Sequence, residues 1–254
     1  MEVVHILNGD SLKARWPTSI HGEVIVAREC LIDGDVSGSI HSKGLPGFYT
    51  NRAKFLECYP QCSATEYFLK SVPEFTKITK IPPNTIIYCW FEEDLFCQVN
   101  FWFVIALLKA HNKNNQIYLV KPNKGNEYSF ANMDNAELTI ALNDANKLTH
   151  EQLNTLSQLW HLYQRKNYAE MLVVAQALTG NLTFVINAIK AQQARMPDES
   201  GYGYPERQLI AIAKELNTTK FAPVFQVFSQ RMGIYSFGDL QVKRMFDGVL
   251  LKIK

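Results

Sequence analysis

The chain has 254 residues, and its 47% hydrophobic and 20% charged residues are ordinary proportions for a globular protein with a sizeable core. A net charge of +2 and a pI of about 8.2 exclude the concentrated basic character of most nucleic-acid-binding proteins, so we expect no sequence-specific nucleic acid partner. The length suits one or two domains.

The N-terminal residues predict a strand rather than a targeting segment, because they contain no basic stretch followed by an apolar stretch and a small-residue cleavage site. The longest uncharged apolar run, 101–108, is much shorter than the roughly 20 residues that cross a bilayer. We therefore expect a cytoplasmic protein with no membrane partner. The five irregularly spaced cysteines predict free, mostly buried thiols rather than a disulfide framework.

Four short apolar runs predict the strands of the N-terminal half, at 3–7, 23–27, 85–90 and 116–120. Their nearly continuous apolar composition, without alternation, is typical of parallel strands that are covered on both faces. The apolar segment 95–110 predicts a buried crossover helix between the last two strands, with Asp94 as its N-cap. We therefore expect an α/β fold with a Rossmann-like parallel sheet and flanking helices.

Residues 30–60 are expected to depart from this regular pattern. Several glycines and Pro46 interrupt any helical or strand period there, which predicts a long irregular excursion of the kind that covers or lines a site. A helix at 64–72 is expected to dock this excursion onto the sheet.

The second half of the chain predicts helices from Thr149, at 168–178 and 183–194, then a linker near 196–204, then helices from Pro205, at 221–232 and from about 237. A closing strand is predicted at 249–253. We expect an α/β domain at 1–132 and a helical region at 133–254. The last part is similar to a winged-helix module, but its few basic residues favour packing on the α/β domain or forming a homodimer over reading DNA bases.

Polar side chains follow three of the predicted strands where each strand ends. They are Asn8, Asp10 and Ser11 after the first strand, Arg28 and Glu29 after the second, and Glu92, Glu93 and Asp94 after the third, with Gln98 one helical turn later. Ligands of open parallel sheets bind beyond the carboxyl ends of the strands. If the three strands are neighbours, we expect these side chains to line one concave surface at that edge.

The residue types at this edge suggest separate roles. Asp10, Glu92 and Asp94 suit a hard cation such as Mg²⁺, and the same three carboxylates, with Ser11, are the candidate catalytic groups. The Gly9 backbone and Arg28 suit a phosphate or a carboxylate. The remaining candidate ligand contacts are His5, Asn8, Glu29 and Gln98.

A purely structural interpretation of the same edge is about as well supported, because strand ends are polar in most α/β proteins. Under that interpretation Arg28 and Glu92 form an ion pair that ties two strand ends together. Under the functional interpretation the charges of Glu92 and its acidic neighbours are held together for a ligand.

Gly9-Asp10-Ser11-Leu12 is similar to the segment around the nucleophilic serine of GDSL hydrolases. Those enzymes also carry an Asp-x-x-His segment that supplies the base, and this sequence has none. The alternative is a turn and helix cap, in which Asp10 or Ser11 bonds free backbone N–H groups.

Three strings together resemble a bacterial group called domain of unknown function 1835: residues 4–11, residues 24–29 followed by Gly34, and residues 90–98. This chain has Ala27 where members of that group commonly have Trp, and Asp35 where they often have Pro. The resemblance implies no activity. It does imply that the residues at the predicted strand ends are the ones that define the group.

The sequence therefore favours a domain that binds or transforms a phosphorylated or nucleotide-like small molecule at the carboxyl edge of the sheet, with Mg²⁺ as the candidate cofactor. The alternative is a non-enzymatic regulatory or scaffolding protein that acts through its C-terminal helices.

Overall fold

The computed structural model of the protein describes residues 1–59, 62–111 and 114–253. Its strands are β1 (Val3–Leu7), β2 (Glu23–Val26), β3 (Ile86–Trp90), β4 (Gln116–Val120) and β5 (Asn146–Lys147). They form one sheet in the order β2-β1-β3-β4-β5, in which the first four strands are parallel and β5 is antiparallel to β4. All four predicted strands are confirmed, whereas the two-residue β5 has no sequence signal of its own.

Helices make up the rest of the regular structure. They are α1 (Asp10–Ala14), α2 (Leu45–Leu56), α3 (Ala64–Lys70), α4 (Val72–Thr79), α5 (Leu95–His111), α6 (Asn135–Asn143), α7 (His150–Gln164), α8 (Tyr168–Ala175), α9 (Val185–Ala194), α10 (Tyr204–Glu215), α11 (Phe221–Arg231) and α12 (Asp239–Ile253). The expected α/β fold with a mainly helical second half is confirmed. Among the described helices, none is both long and apolar enough to cross a bilayer.

The sheet is covered on both faces, as its continuous apolar strands predict. Ile6 and Cys89 face a large core that includes α5, whereas their neighbours Leu7 and Trp90 face a smaller core that includes residues of α1 and α6. Every residue of 97–107 is buried, so α5 is the predicted buried crossover helix between β3 and β4. On its far side α5 packs against α7 and α9, and one hydrophobic core continues from the sheet into the C-terminal helices. A boundary near residue 132 stays a prediction.

The excursion after β2 is irregular only in its first half. Residues 30–44 form no helix or strand, but α2 makes the prediction of irregular structure wrong for 45–56, and residues 60–61 lie outside the described part. The reason is the position of Pro46, which lies in the first turn of α2. The N–H group that proline lacks has no intrahelical partner there, so Pro46 starts the helix instead of breaking it.

The predicted closing strand at 249–253 is wrong, because this segment is the last part of α12. Val242, Phe246 and Val249 are all buried, and their spacing of four and then three residues places them on one face of the helix. A short apolar run alone does not distinguish a strand from a buried helical turn. Without this strand the winged-helix comparison loses its main support.

Asp33 joins the irregular excursion to the C-terminal helices. Its carboxylate accepts hydrogen bonds from Arg195 (2.7 Å), Gln241 (2.8 Å), Tyr59 (3.0 Å) and Arg244 (3.2 Å). Burial alone would raise the pKa of Asp33, but the two arginines and the hydrogen-bond donors hold it below its usual value. A cavity of about 550 Å³ lies beside this junction, between the excursion and helices α9, α10 and α12.

Candidate functional site

The strand order places a crevice at the carboxyl edge between β1 and β3. From β1 the chain moves to β2 on one side, and β3 then lies on the other side, so the direction of strand addition reverses at β1. In open parallel sheets, ligands bind outside the carboxyl ends of the strands at such a reversal. Asn8 and Gly9 follow β1 directly, and Glu92 and Asp94 follow β3, so the two predicted acidic residues lie at this crevice.

Glu92, Asp94 and Cys97 form a compact cluster there. One oxygen of each carboxylate and the Cys97 sulfur all lie within 4.8 Å of one another, and the Cys97 thiol donates to Glu92 Oε2 at 3.1 Å. Asp94 caps α5, because its Oδ1 accepts the Cys97 backbone N–H at 2.9 Å. The predicted N-cap is therefore confirmed. Capping also fixes the cluster, since it holds the Asp94 carboxylate against the first turn that carries Cys97.

No basic side chain pairs with these carboxylates in the described part of the chain. Asp94 is fully buried, and its Oδ2 has no hydrogen-bond partner. Burial and then the charge of Glu92 raise the pKa of Asp94 to about 7, and burial raises the pKa of Glu92. Two carboxyl groups held close together, one of them buried and neither paired with a basic side chain, are unfavourable for the stability of the protein.

Amide side chains hold the cluster in place. Gln98 is fully buried and donates from Nε2 to the Glu92 carbonyl oxygen at 2.7 Å, whereas its Oε1 has no partner among the described residues. Asn8 donates from Nδ2 to the Cys97 sulfur at 2.9 Å. Asn100 in turn donates to Asn8 Oδ1 at 2.9 Å and to the Glu29 carbonyl oxygen at 2.7 Å, so the end of β1 is fixed to α5. Asn8 and Gln98 thus contact the cluster, and their expected role in binding a ligand stays a prediction.

Asp10 belongs to a different group. It begins α1 at the surface, where Arg28 donates to its two oxygens at 2.5 and 2.6 Å. The hydrogen bonds and charge of Arg28 lower the pKa of Asp10. Asp10 is therefore not part of the compact cluster, and the structural alternative of an Arg28–Glu92 ion pair is wrong.

The Glu29 carboxylate also has partners within the protein. Its side chain and that of Arg52 are completely buried and form two parallel hydrogen bonds of 2.9 Å. Tyr67 donates to the same carboxylate at 2.9 Å, and the Cys30 backbone N–H donates to it at 2.6 Å. Protein donors therefore saturate both oxygens, and the expected role of Glu29 in ligand contact is replaced by a structural one.

Two clefts open beside Asn8 and Gly9, which line both of them. The smaller, cleft A, has a volume of about 130 Å³, and Glu92, Ser11 and Arg15 contribute to its wall. Ser11 Oγ makes no hydrogen bond to any described residue, so the structure provides no base for a nucleophilic serine. Arg15 donates to the carbonyl oxygens of Ala131 and Met133, which fixes the loop opposite Glu92.

The larger, cleft B, has a volume of about 390 Å³ and an apolar wall. Leu56, Tyr67 and Phe96 supply much of this wall, and Arg28 and Lys70 lie at its polar side. Arg28 also donates to the Lys70 carbonyl oxygen at 2.5 Å. Three of its five N–H groups are thus used by Asp10 and Lys70, and the other two are free to bind an anion. The predicted single concave surface is therefore divided into two clefts that share Asn8 and Gly9.

His5 has no ring nitrogen free for a ligand. The fully buried ring accepts a hydrogen bond from Trp90 Nε1 at its Nδ1, 3.1 Å away, and its Nε2 lies 3.1 Å from the His21 carbonyl oxygen. Gly22 closes over the ring, since a Cβ there would come within 2.9 Å of His5. The expected ligand contact by His5 is replaced by a role in the core on the α1 side of the sheet.

We expect the ring of His5 to take up its proton at a lower pH in the folded protein than in the unfolded chain. Burial lowers the pKa of His5, so the folded state binds its proton less readily than the unfolded chain does. Neutral His5 therefore contributes to the free energy of unfolding at high pH, and this contribution is lost as the pH falls below about 6.5, the pKa of histidine in the unfolded chain. Ring resonances followed by NMR, with the chain in denaturant as control, measure this directly. A midpoint equal to that of the unfolded chain would contradict the buried assignment.

Three residues at this edge were not predicted from the sequence to belong to the site or its supports: Cys97, Asn100 and Arg52. The spacing of Cys97 three residues after the predicted N-cap Asp94 is a usable signal, because the third helical residue lies against the cap side chain. Asn100 lies three residues later still, and an amide in an otherwise apolar buried helix is a second signal. The local sequence does not indicate which residue pairs with Arg52.

Cys58 and Cys62 are exposed, so the expectation of mostly buried thiols holds only for part of the five cysteines.

No family model matches this chain, and comparisons with curated proteins and with solved structures find no match either. The resemblance to domain of unknown function 1835 therefore stays a prediction, and the functional argument rests on the geometry.

Proposed function

We propose that the protein binds a phosphorylated or nucleotide-like small molecule at the carboxyl edge of a Rossmann-like sheet, together with a divalent cation. The observation that carries this proposal is the pair of half-buried Glu92 and buried Asp94, which has no basic partner among the described residues and lies where the strand order reverses between β1 and β3. A divalent cation bound to these carboxylates offsets their repulsion and attracts the phosphate of a ligand.

The two clefts suit the two ends of such a ligand. The apolar wall of cleft B, with Tyr67 and Phe96, is compatible with a base or another flat ring. Arg28, which has two unused N–H groups, is suited to a phosphate at the junction near Gly9. Cleft A then leads from Gly9 to Glu92 and the cation.

A thermal-shift panel of nucleotides and sugar phosphates, each with and without Mg²⁺, tests the proposal. A ligand at 100 times its dissociation constant adds about 2.7 kcal/mol to the free energy of unfolding. We expect stabilisation that requires both the ligand and the cation. A panel without any stabilising compound would favour the alternative of a scaffolding protein that acts through its C-terminal helices.

Replacing Glu92 by glutamine is expected to leave the melting temperature unchanged or to raise it, and to abolish the cation-dependent shift. The substitution keeps the shape of the side chain and its acceptor for the Cys97 thiol, but removes a half-buried charge that has no counter-ion among the described residues. Melting curves of the variant and the wild type, with and without Mg²⁺ and ligand, measure both effects.

Glu93→Gln is the matched control. Glu93 belongs to the same segment, but its carboxylate lies 2.6 Å from Lys121 instead of in the cluster. We expect this variant to keep the full cation-dependent shift. A Glu92→Gln protein that is strongly destabilised, with an unaltered response to ligand and cation, would show that the cluster has only a structural role.

A further inference from the structure

The cluster at the end of β3 contains a sulfur atom as well as carboxylates. Cys97 is nearly fully buried, and its sulfur lies 3.1 Å from Glu92 Oε2. The thiol and the two carboxylates converge, since their ligand atoms lie within 4.8 Å of one another. A bound metal ion of ordinary size needs ligand atoms about 2.0–2.3 Å from its centre, a separation that this arrangement reaches with small side-chain movements.

Two buried acceptors in the same place lack partners. Asp94 Oδ2 and Gln98 Oε1 are fully buried and make no hydrogen bond in the described part of the chain. A buried acceptor without a donor destabilises a protein by about 1–3 kcal/mol, and more when it is charged. This observation is independent of the clustering, because an acidic group could have been satisfied by neighbouring side-chain donors, as Glu29 is by Arg52 and Tyr67. A bound cation would satisfy Asp94 Oδ2.

We propose that Glu92, Asp94 and Cys97 bind a single thiophilic divalent metal ion of the zinc class. This inference rests on the proposed function, because it specifies the cation of the same site. Thiolate ligands select zinc and related transition metals, whereas Mg²⁺ prefers oxygen ligands in an octahedron. On binding, the metal–sulfur bond forms as the S–H bond of Cys97 breaks, and the released proton passes to the solvent.

Burial and the neighbouring carboxylates of Asp94 and Glu92 raise the pKa of the Cys97 thiol, so the bound metal itself would hold the thiolate. Asn8 Nδ2 already donates to the sulfur at 2.9 Å, and the amide of Asn8 is oriented by Asn100. Such an outer hydrogen bond orients a metal ligand and stabilises its charge. Three protein ligands also leave the fourth tetrahedral position open, as in catalytic rather than structural zinc sites. Glu92 is the one of these three residues that lines cleft A, so a water molecule or a ligand phosphate would reach the metal from that cleft.

Titration of the chelator-treated full chain with Co²⁺ tests the inference, because a cobalt–thiolate bond produces a charge-transfer absorption that oxygen ligands do not. We expect one Co²⁺ per chain with this absorption, and displacement of Co²⁺ by Zn²⁺. Cys97→Ser should lose the absorption and weaken Zn²⁺ binding on the order of 100-fold or more. Cys62→Ser, which removes an exposed thiol outside the cluster, should retain both.

Melting curves establish that each variant is folded, and Glu92→Gln provides a second test that leaves the thiol in place. It should weaken Zn²⁺ binding while the protein remains at least as stable as the wild type. Cobalt binding without the thiolate absorption, or with an absorption that persists in Cys97→Ser, would overturn the zinc-class assignment. In that case a shift by Mg²⁺ and nucleotide would still support the proposed function, whereas the absence of any effect of cations and ligands would overturn both.

Discussion

Replacing Glu29 by glutamine is expected to lower the free energy of unfolding by roughly 3–5 kcal/mol. The Glu29 and Arg52 side chains have 0% exposure, and two hydrogen bonds of 2.9 Å join them. Glutamine would leave the Arg52 charge buried without a counter-ion and would place an amide NH₂ group where Arg52 now donates. Arg52 also donates to the carbonyl oxygens of Cys30, Asp33 and Asp35, so the whole first half of the excursion depends on its position.

Urea unfolding of the variant and the wild type measures this difference, provided that the slope of the transition is unchanged. The matched control is Glu215→Gln, which removes a bidentate partner of Arg231 at the protein surface. We expect no resolvable change in that control, because exposed pairs contribute little. A Glu29→Gln protein as stable as this control would show that Arg52 finds another partner or reaches water.

Replacing Asp33 by asparagine is expected to lower the free energy of unfolding by about 3 kcal/mol. Asp33 is 9% exposed, and it is the counter-ion of both Arg195, which directly follows α9, and Arg244, which lies in α12. The variant keeps the size of the side chain but leaves two guanidinium groups beside the cavity without a negative charge. We therefore expect loosening of the contact between the excursion and α12.

The pH dependence of this difference provides its check. The pKa of Asp33 is lower in the folded state than in the unfolded chain, so its contribution to stability is fully present above the unfolded value of about 3.9. The contribution is lost as the pH falls through the lower folded value. Denaturant unfolding of both proteins should therefore give a constant difference from neutral pH to about pH 5 and a smaller one below about pH 4. A difference independent of pH would mean that packing, not charge, is responsible.

The parallel part of the sheet could be predicted because each of its four strands carries its own signal. Continuous apolar runs indicate β1 to β4, and the all-round apolar composition of α5 indicates a buried crossover between β3 and β4. The secondary-structure predictions that are wrong concern segments whose local sequence pattern is compatible with two different structures. Proline usually interrupts a helix, but Pro46 lies in the first turn of α2, where it is tolerated. The apolar run from Val249 alone suggests a strand, and its helical spacing becomes visible only together with Val242 and Phe246.

The location of the candidate site at the carboxyl edge of the sheet could be predicted from the sequence, but the pairing of its side chains could not. That polar residues gather where strands end follows from topology, and Glu92, Asp94, Gln98 and Asn8 are at the crevice as expected. Which acid meets which base depends on contacts between distant segments. Arg28, placed opposite Glu92 by one interpretation of the sequence, pairs with Asp10. The partner of Glu29 comes from α2, a helix in a segment that the sequence presents as irregular.

The buried pair of Glu29 and Arg52 also restricts how this sequence can change over time. Loss of either charge alone leaves the other buried and strongly destabilises the fold, whereas replacement of both by apolar side chains of similar volume is often neutral or stabilising in other proteins. A chain with a substitution at only one of the two positions is therefore expected to be much less stable than a chain in which both or neither have changed. In descendants of this chain we expect positions 29 and 52 to covary, and position 67, which donates to the same carboxylate, to change with them.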